Sequence, residues 1–533
     1  MLKKRYWPLL VHLFVWVMLV GIARGQSAQD LQQRIQAIMS RPEFAHSHFG
    51  IEFYSIERNK IIYALNEQQL FVPGSTTKLL TEGTALELFG GDYRFHTRVY
   101  RVGELKKNGT LKGNLVLVGS GDPNLSNRIL HDGTLAFENE DHSYGGPDSK
   151  GLAGDPLLVI RELAQQIAAK GIKKIEGRVL VDASLFPEGS RELGTGVVLS
   201  PIVVNDNVVD VMVTAGEKEG SAATLKMSPK TAYVHILNNV RTGKVGSNAR
   251  VGRRRYENEQ RNPDGTSSVT LSGSVPPGWS GLSPYVVPEP SRYAATLLTE
   301  ALEQAGVRIT ASQRVLSADV QVSSTVYKPD DLVAEHVSPP FKEDVRITLK
   351  VSQNLHASMT PSLLGALVSK KYGKDAEQAG FDLENEFLRK AGLDLSGAAQ
   401  SDGAGGSAFF TPAFMVGYLK YMRAQKDFED FYRGLPILGR DGTLFQIQVN
   451  SPAAGHVHAK TGTYSAYNAL NKNLMLTGKG LAGYMETVQG EHLIFACYVN
   501  MVPLPIDDPE ASNRVAGQAL GEIATAAYET LWQ

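Results

Sequence analysis

The sequence predicts a mixed α/β (α+β) protein in which a helix-and-sheet domain, contributed by both ends of the chain, is interrupted by a long, mostly β insertion. Three observations carry this. Helical stripes and strand-length apolar runs alternate at both ends. The middle is made of short alternating runs between Gly, Asn and Asp turns, in keeping with the 52 glycines. At 533 residues, the chain is too long for one hydrophobic core.

The elements follow in order. Lys3-Lys4-Arg5, an apolar stretch over residues 7–22 and the small residues Ala23 and Gly25 have the order of a secretory signal. That stretch is short for a membrane span and contains Pro8 and His12. Residues 1–25 are therefore read as a cleaved signal peptide rather than a retained anchor. No cysteine lies nearby to carry a lipid. The mature protein is expected to be soluble and exported, in the periplasm or cell envelope, with no stable membrane anchor.

Leu31, Ile35 and Ile38 predict a helix over 26–40, followed by strands at 50–55 and 60–65 around a polar turn. Phe71-Val72-Pro73-Gly74 leads into a helix that opens at Ser75, carries Leu79, Leu80, Ala85, Leu86 and Phe89, and stops at Gly90-Gly91. Strands are then expected at 97–102, 113–118 and 177–181, with one helix at 157–170. From 201 to 288 only strands are expected, at 203–204, 208–213, 233–237 and 269–271. Residues 250–264 read as a charged loop whose Arg253-Arg254-Arg255 is a solvated face. A helix at 292–305 follows, then helical texture from 333 to 425, broken by the glycine-rich 402–407. Strands return at 456–460, 480–487 and 493–500. An amphipathic helix over 511–532 closes the chain; its polar face lacks Lys, so it is expected to pack on a sheet rather than a membrane.

Composition narrows the function. The 54 basic and 55 acidic side chains leave a net charge of −1, so no general attraction to nucleic acid or anionic lipid is expected. Cys497 is the only cysteine, which excludes an intrachain disulfide and any multi-cysteine metal centre. Within 493–499 it reads as a small buried hydrophobe.

Three short patterns can carry chemistry. In Ser75-x-x-Lys78, residues three apart on a helix share a face, so the Lys78 amine can lie over the Ser75 hydroxyl. A serine is a poor nucleophile until a base takes its proton, and Lys78 can serve only if burial keeps it neutral. Ser352-x-Asn354 offers a relay hydroxyl and an amide able to hold a lysine and a substrate carbonyl. In Lys460-Thr461-Gly462-Thr463, at the end of the 456–460 strand, Gly462 lets a substrate backbone approach, Lys460 supplies positive charge and the threonine hydroxyls can hold a carboxylate.

Each pattern occurs once, in the order found in penicillin-binding proteins and serine β-lactamases. The chain resembles the low-molecular-mass class C penicillin-binding proteins of serine peptidase family S13, the D-alanyl-D-alanine carboxypeptidases/endopeptidases. Val118-Gly119-Ser120-Gly121-Asp122-Pro123, Val204-Asn205-Asp206-Asn207, Leu435-Pro436 and Asp441-Gly442-Thr443-Leu444 extend the resemblance over nearly all of the mature chain. So do the 273 residues between Lys78 and Ser352, because simple carboxypeptidases and class A β-lactamases hold these motifs much closer together.

The resemblance implies a β-lactamase/transpeptidase-like catalytic domain, an antiparallel sheet flanked by helices, from residues 26–92 and 315–533. Inserted domain II would comprise 93–200 and 289–314, and inserted β domain III 201–288. It implies that Ser75 is acylated with Lys78 as general base, that Ser352 relays a proton to the leaving group, and that Asn354 orients Lys78 and the substrate amide. Lys460, Thr461, Gly462 and Thr463 would bind the terminal carboxylate side of the substrate. The backbone N–H groups of Ser75 and Thr463 would form the oxyanion hole. Peptidoglycan stem peptides would be the substrates and β-lactam antibiotics covalent inhibitors, with no cofactor and no metal. The family's Gly-Ser-Gly turn followed by Leu-Ser-Arg reads Gly403-Ala404-Gly405-Gly406-Ser407-Ala408 here, and a Gln beyond the third motif is Ser465. Those residues grip a diaminopimelate side chain elsewhere, so the preference for the third peptide residue stays open; Asp182 and Phe186 match the other side of that pocket.

Two other functions compete. A class A β-lactamase needs Glu-x-x-Leu-Asn, and none of the Leu-Asn pairs at Leu65, Leu237 and Leu470 has Glu three residues earlier. A non-catalytic cell-wall-binding scaffold accounts for the insertion but not for three intact motifs. A metal hydrolase is suggested only by His456 and His458, which have no carboxylate or cysteine beside them and read as structural. His356 reads as a packed or surface histidine.

Overall fold

The computed structural model describes residues 28–126, 128–147, 149–252, 255–263, 265–310, 327–505 and 510–532. The expected signal peptide and the expected domain boundary at 314/315 lie outside these residues.

An antiparallel sheet organises the first layer. Its strands run in the spatial order Val457–Asn468, Asn473–Glu486, His492–Asn500, His48–Ser55, Lys60–Leu65, with the short Val502–Leu504 paired to Asn473–Glu486. Strands from the two ends of the chain therefore meet at its centre, where His48 pairs with Asn500 and Ser55 with Leu493. The central strand is apolar on both faces, which requires cover on both. Leu493, Phe495, Cys497 and Val499 pack with Leu31, Ile35 and Ile38 of helix Ala28–Met39 and with Leu520, Ile523 and Ala527 of helix Gln518–Glu529. Ile494, Ala496 and Tyr498 pack with Leu79 and Leu80 of helix Lys78–Phe89 and with Met415, Tyr418 and Leu419 of helix Pro412–Met422. Each buried leucine contributes about 1.5–3 kcal/mol, so sheet and helical layers hold one another in place. The closing helix has a π turn, Asn513–Gly517, before its α-helical part.

The insertion carries its own sheet, in the order Arg308–Ile309, Lys174–Ile175, Thr110–Val118, His96–Leu105, Leu332–Val337, with Val179–Asp182 also on Thr110–Val118. Two smaller sheets follow. One joins Tyr256–Arg261, Ser267–Val275 and Val234–Thr242; the other is built on Val208–Thr214. Leu115, Leu163, Val211, Leu271 and Leu298 belong to one continuous hydrophobic cluster, so the inserted parts share a core. Among the described residues no helix is long and apolar enough to cross a membrane.

Three expectations need correction. Residues 333–337 are not helical: Leu332–Val337 pairs antiparallel with His96–Leu105, from Leu332 opposite Tyr100 to Val337 opposite His96. The β-branched Val333 and Val337 favour a strand, and Pro339-Pro340 bars a helix until Phe341–Lys350. The charged loop at 250–264 contains a strand, Tyr256–Arg261, whose side chains are almost all exposed, leaving no apolar alternation to mark it; Arg253, Arg254 and Asp264 lie outside the described residues. The third-motif strand does not stop at 460 but runs over Val457–Asn468, so the motif sits inside it.

Candidate active site

Pro73-Gly74 sets the first piece. Gly74 is left-handed (φ +53°) and opens the 3₁₀ turn Gly74–Thr77, which runs directly into helix Lys78–Phe89. A Cβ on Gly74 would stand 2.5 Å from the Thr463 nitrogen, and one on Gly462 would stand 1.9 Å from the Pro73 oxygen. Only glycine at both positions lets the Ser75 turn and the third-motif strand touch backbone to backbone. The Ser75 turn therefore lies directly against the backbone of Gly462 and Thr463.

Lys78 is the hub. Its Nζ lies 2.9 Å from Ser75 Oγ, 3.2 Å from Ser352 Oγ and 2.6 Å from Asn354 Oδ1. Its side chain is fully buried, and that burial pulls its pKa down to about 7 against the raising influence of the Glu192, Asp402 and Glu82 carboxylates. Glu82, one turn along the same helix, is itself raised to about 8, by burial first and then by the Asp344 carboxylate. It is therefore protonated near neutrality and gives Lys78 no full counter-charge.

Ser352 takes a left-handed backbone (φ +62°) between helices Phe341–Lys350 and Asn354–Leu367. This turns its Oγ to within 2.9 Å of Lys460 Nζ as well as 3.2 Å of Lys78 Nζ. One hydroxyl thus bridges two buried amines. Burial lowers Lys460 well below the ordinary lysine range, reinforced by the charges of Lys78 and Lys479.

Thr461 donates to Thr443 Oγ1 at 2.7 Å. Asp441, two residues before that threonine, takes Lys350 Nζ at 2.7 Å, so the 441–444 segment ties the second and third motifs together. Of the residues expected at the site, Ser75, Lys78, Ser352, Asn354 and Lys460 form one hydrogen-bonded cluster, and Gly462 and Thr463 lie against the Pro73-Gly74 backbone.

Other residues singled out in the sequence have these surroundings. Asp182 accepts from Tyr327 Oη at 2.8 Å and Phe186 is buried in the hydrophobic cluster. Ser465 follows a register shift in its strand pairing. His458 stacks on Tyr432, at 4.3 Å between ring centres, and burial lowers its pKa to about 4, as suits a packed neutral histidine. His356 is buried but ion-paired rather than merely packed, 2.8 Å from Asp206 and 2.9 Å from Asp344. Cys497 is buried in the sheet.

Several site residues escaped the sequence reading. The Asp402 carboxylate accepts the backbone N–H groups of Ala404, Gly405, Gly406 and Ser407, cinching the glycine-rich loop against the Gly74 carbonyl. The Glu192 carboxylate does the same for Gly194, Thr195 and Val197, and a Cβ on Gly194 would stand 2.1 Å from Asn354 Nδ2. Lys479 faces Thr463 across the strand pair and donates to Thr463 Oγ1 at 2.8 Å and Asn513 Oδ1 at 2.7 Å; burial lowers its pKa to about 8. An Asx-turn acid leaves a faint local signal, as Asp402-Gly403 does. A lysine paired across strands leaves none.

Known proteins offer a comparison. Residues 31–522 match the model of the D-Ala-D-Ala carboxypeptidase 3 (S13) family. The chain is 26% identical over 516 residues to a D-alanyl-D-alanine carboxypeptidase of Actinomadura sp. (strain R39), spanning 91% of this chain and 84% of that protein. It is 24% identical over 471 residues to the D-alanyl-D-alanine carboxypeptidase DacB of Haemophilus influenzae, spanning 85% of each. In three dimensions it is similar to penicillin binding protein 4 of H. influenzae solved with a β-lactam, at 20% identity and a TM-score of 0.67, over 94% of this chain and 99% of that one.

Proposed function

The chain belongs to the D-Ala-D-Ala carboxypeptidase 3 (S13) family, the serine D,D-peptidases, and on that premise we propose that Ser75 is its acylated nucleophile and Lys78 the base that activates it. The observation that carries the assignment is the Lys78 amine, buried, lowered to about 7 and within 2.9 Å of Ser75 Oγ. The neutral amine accepts the Ser75 proton as Oγ bonds to the penultimate D-alanine carbonyl carbon. The negative charge that develops on the carbonyl oxygen falls between the N–H groups of Ser75 and Thr463. When the carbon–nitrogen bond breaks, a proton passes through Ser352 to the departing amine of the terminal D-alanine. Water then hydrolyses the acyl-enzyme by the reverse route. Lys460, Thr461 and Thr463 hold the terminal carboxylate, and Asn354 holds Lys78 and the substrate amide. β-Lactams enter as carboxylate-bearing mimics and stop at the acyl-enzyme. The basic, apolar and small-residue order of residues 1–25 supports export to the cell envelope, where peptidoglycan stem peptides are found.

Purified protein incubated with defined muropeptides is expected to release the terminal D-alanine of monomeric pentapeptides, read by mass. Crosslinked dimers opened at the D,D-bond would place endopeptidase action at the same site. Intact substrates in both cases would sink the reading.

Lys479 is assigned a supporting part: it holds the Thr463 hydroxyl ready for the carboxylate and adds positive charge behind it. Lys479→Met is expected to raise KM about tenfold for peptides with a free carboxylate while changing kcat little. Amidated peptides should show no such difference between the two proteins; an equal loss on both would remove the role.

A further inference from the structure

The segment Ser352–His356 is gripped from the insertion at three residues. Tyr144 donates its hydroxyl to the Ser352 carbonyl at 2.6 Å. Gln353 caps helix Asn354–Leu367 by accepting from Leu355 N at 2.8 Å, while its amide donates to Asp141 Oδ1 at 3.0 Å and Ser143 Oγ at 3.3 Å. His356 Nε2 meets Asp206 Oδ1 at 2.8 Å. These partners come from the 141–144 turn and from the start of the second inserted part.

Asp206 is itself firmly placed. It is the middle of three consecutive left-handed residues, Asn205, Asp206 and Asn207, with φ of +50°, +51° and +53°. Such a run persists only where its surroundings dictate it. Its carboxylate also takes Arg128 Nη2 at 2.8 Å and His142 Nε2 at 2.6 Å, all fully buried. Burial would raise Asp206, but Arg128 and the two histidines outweigh it and hold it well below the usual carboxylate range. Burial likewise pulls His356 down, yet Asp344 and Asp206 hold it at about 10, so it stays charged. Asp141, His142 and Asp206 bring one ligand atom each within 4.8 Å of one another, a spacing that could suit a metal. Arg128 bonds to both carboxylates, so a cation already sits between them and the cluster acts as an ion-pair lock.

Ser352 needs such a lock. A left-handed backbone is strained for a serine, and relaxation of that turn would withdraw its hydroxyl from between Lys78 and Lys460. We propose that the insertion is the positioning element of the Ser352 turn, with Tyr144 as its direct grip and the Asp206–His356 pair as its anchor. The inference rests on the reading of Ser352 as the proton relay. Tyr144 touches no reacting atom and acts only through Ser352, whose displacement by about 1 Å is enough to cost on the order of 10²-fold in rate.

The test is a double-mutant cycle in the full-length protein, read as the second-order rate of acylation by a fluorescent penicillin. Tyr144→Phe is expected to slow acylation about 10- to 100-fold, to leave KM for a peptide substrate within about twofold, and to have less than about twofold further effect in a Ser352→Ala background. Gln353→Met should behave alike, and decides by the same criteria if Tyr144→Phe does not fold. Equal slowing in both backgrounds would show a general structural role and overturn the proposal. So would unchanged acylation in Tyr144→Phe alongside a slow Ser352→Ala. Unimpaired acylation in Ser352→Ala would overturn the relay reading and the proposal with it.

Discussion

A Ser75→Ala protein is expected to bind penicillin without becoming covalently attached to it, and to lose hydrolysis of stem peptides by about 10⁶-fold. The substitution removes one oxygen from a half-buried position on the turn Gly74–Thr77 and leaves Lys78, Ser352 and Lys460 in place. Neither adjacent threonine can substitute. Thr76 and Thr77 are buried, and their hydroxyls donate to the carbonyls of Pro73 at 3.0 Å and Gly74 at 2.9 Å. Thermal unfolding should change little, because the lost hydroxyl is not a core contact. Intact mass after incubation with a labelled penicillin reads the result: one adduct on the parent protein and none on the variant. An adduct on the variant, mapped to another residue, would transfer the nucleophile and dissolve the assignment.

The first pair was legible in the sequence because its geometry is local. A spacing of three along a helical turn brings Lys78 to Ser75 whatever the rest of the chain does. Ser352-x-Asn354 was found as a pattern, but its essential feature, a left-handed serine, has no sequence mark at all; glycine or asparagine is the usual sign of such a backbone. The same limit explains His356. A single histidine two residues past Asn354 gives no hint that Asp206, 150 residues earlier, closes on it. Tyr144 belongs with it, because it reaches Ser352 across 208 residues, and so does Lys479, which meets Thr463 only through strand pairing. In the fold, the central strand was readable because both its faces are apolar. Tyr256–Arg261 was not, because an exposed edge strand needs no apolar alternation, and Leu332–Val337 was lost beside the strong helical texture that follows it.

Lys78→Met is expected to slow acylation by about 10²–10⁴-fold, the usual worth of a general base, and to erase the rising limb of its pH profile. The sign follows from which form reacts. Only the neutral amine can take the Ser75 proton, and with a pKa of about 7 its share climbs from roughly a tenth at pH 6 to roughly nine tenths at pH 8. The base alone therefore makes acylation rise about tenfold across that interval. The opposite sign governs the carboxylate side: Lys479, at about 8, loses its charge as pH rises further, so binding of the terminal carboxylate weakens and kcat/KM falls. The two limbs are separable by mutation. Lys78→Met should keep only the fall, and Lys479→Met only the rise, when second-order acylation rates are followed from about pH 5.5 to 9.5. If the Lys78 variant kept a rise centred near pH 7, the titrating base would have to be another group. The three contacts of Lys78 with Ser75, Ser352 and Asn354 would then describe a structural pin rather than the proton acceptor.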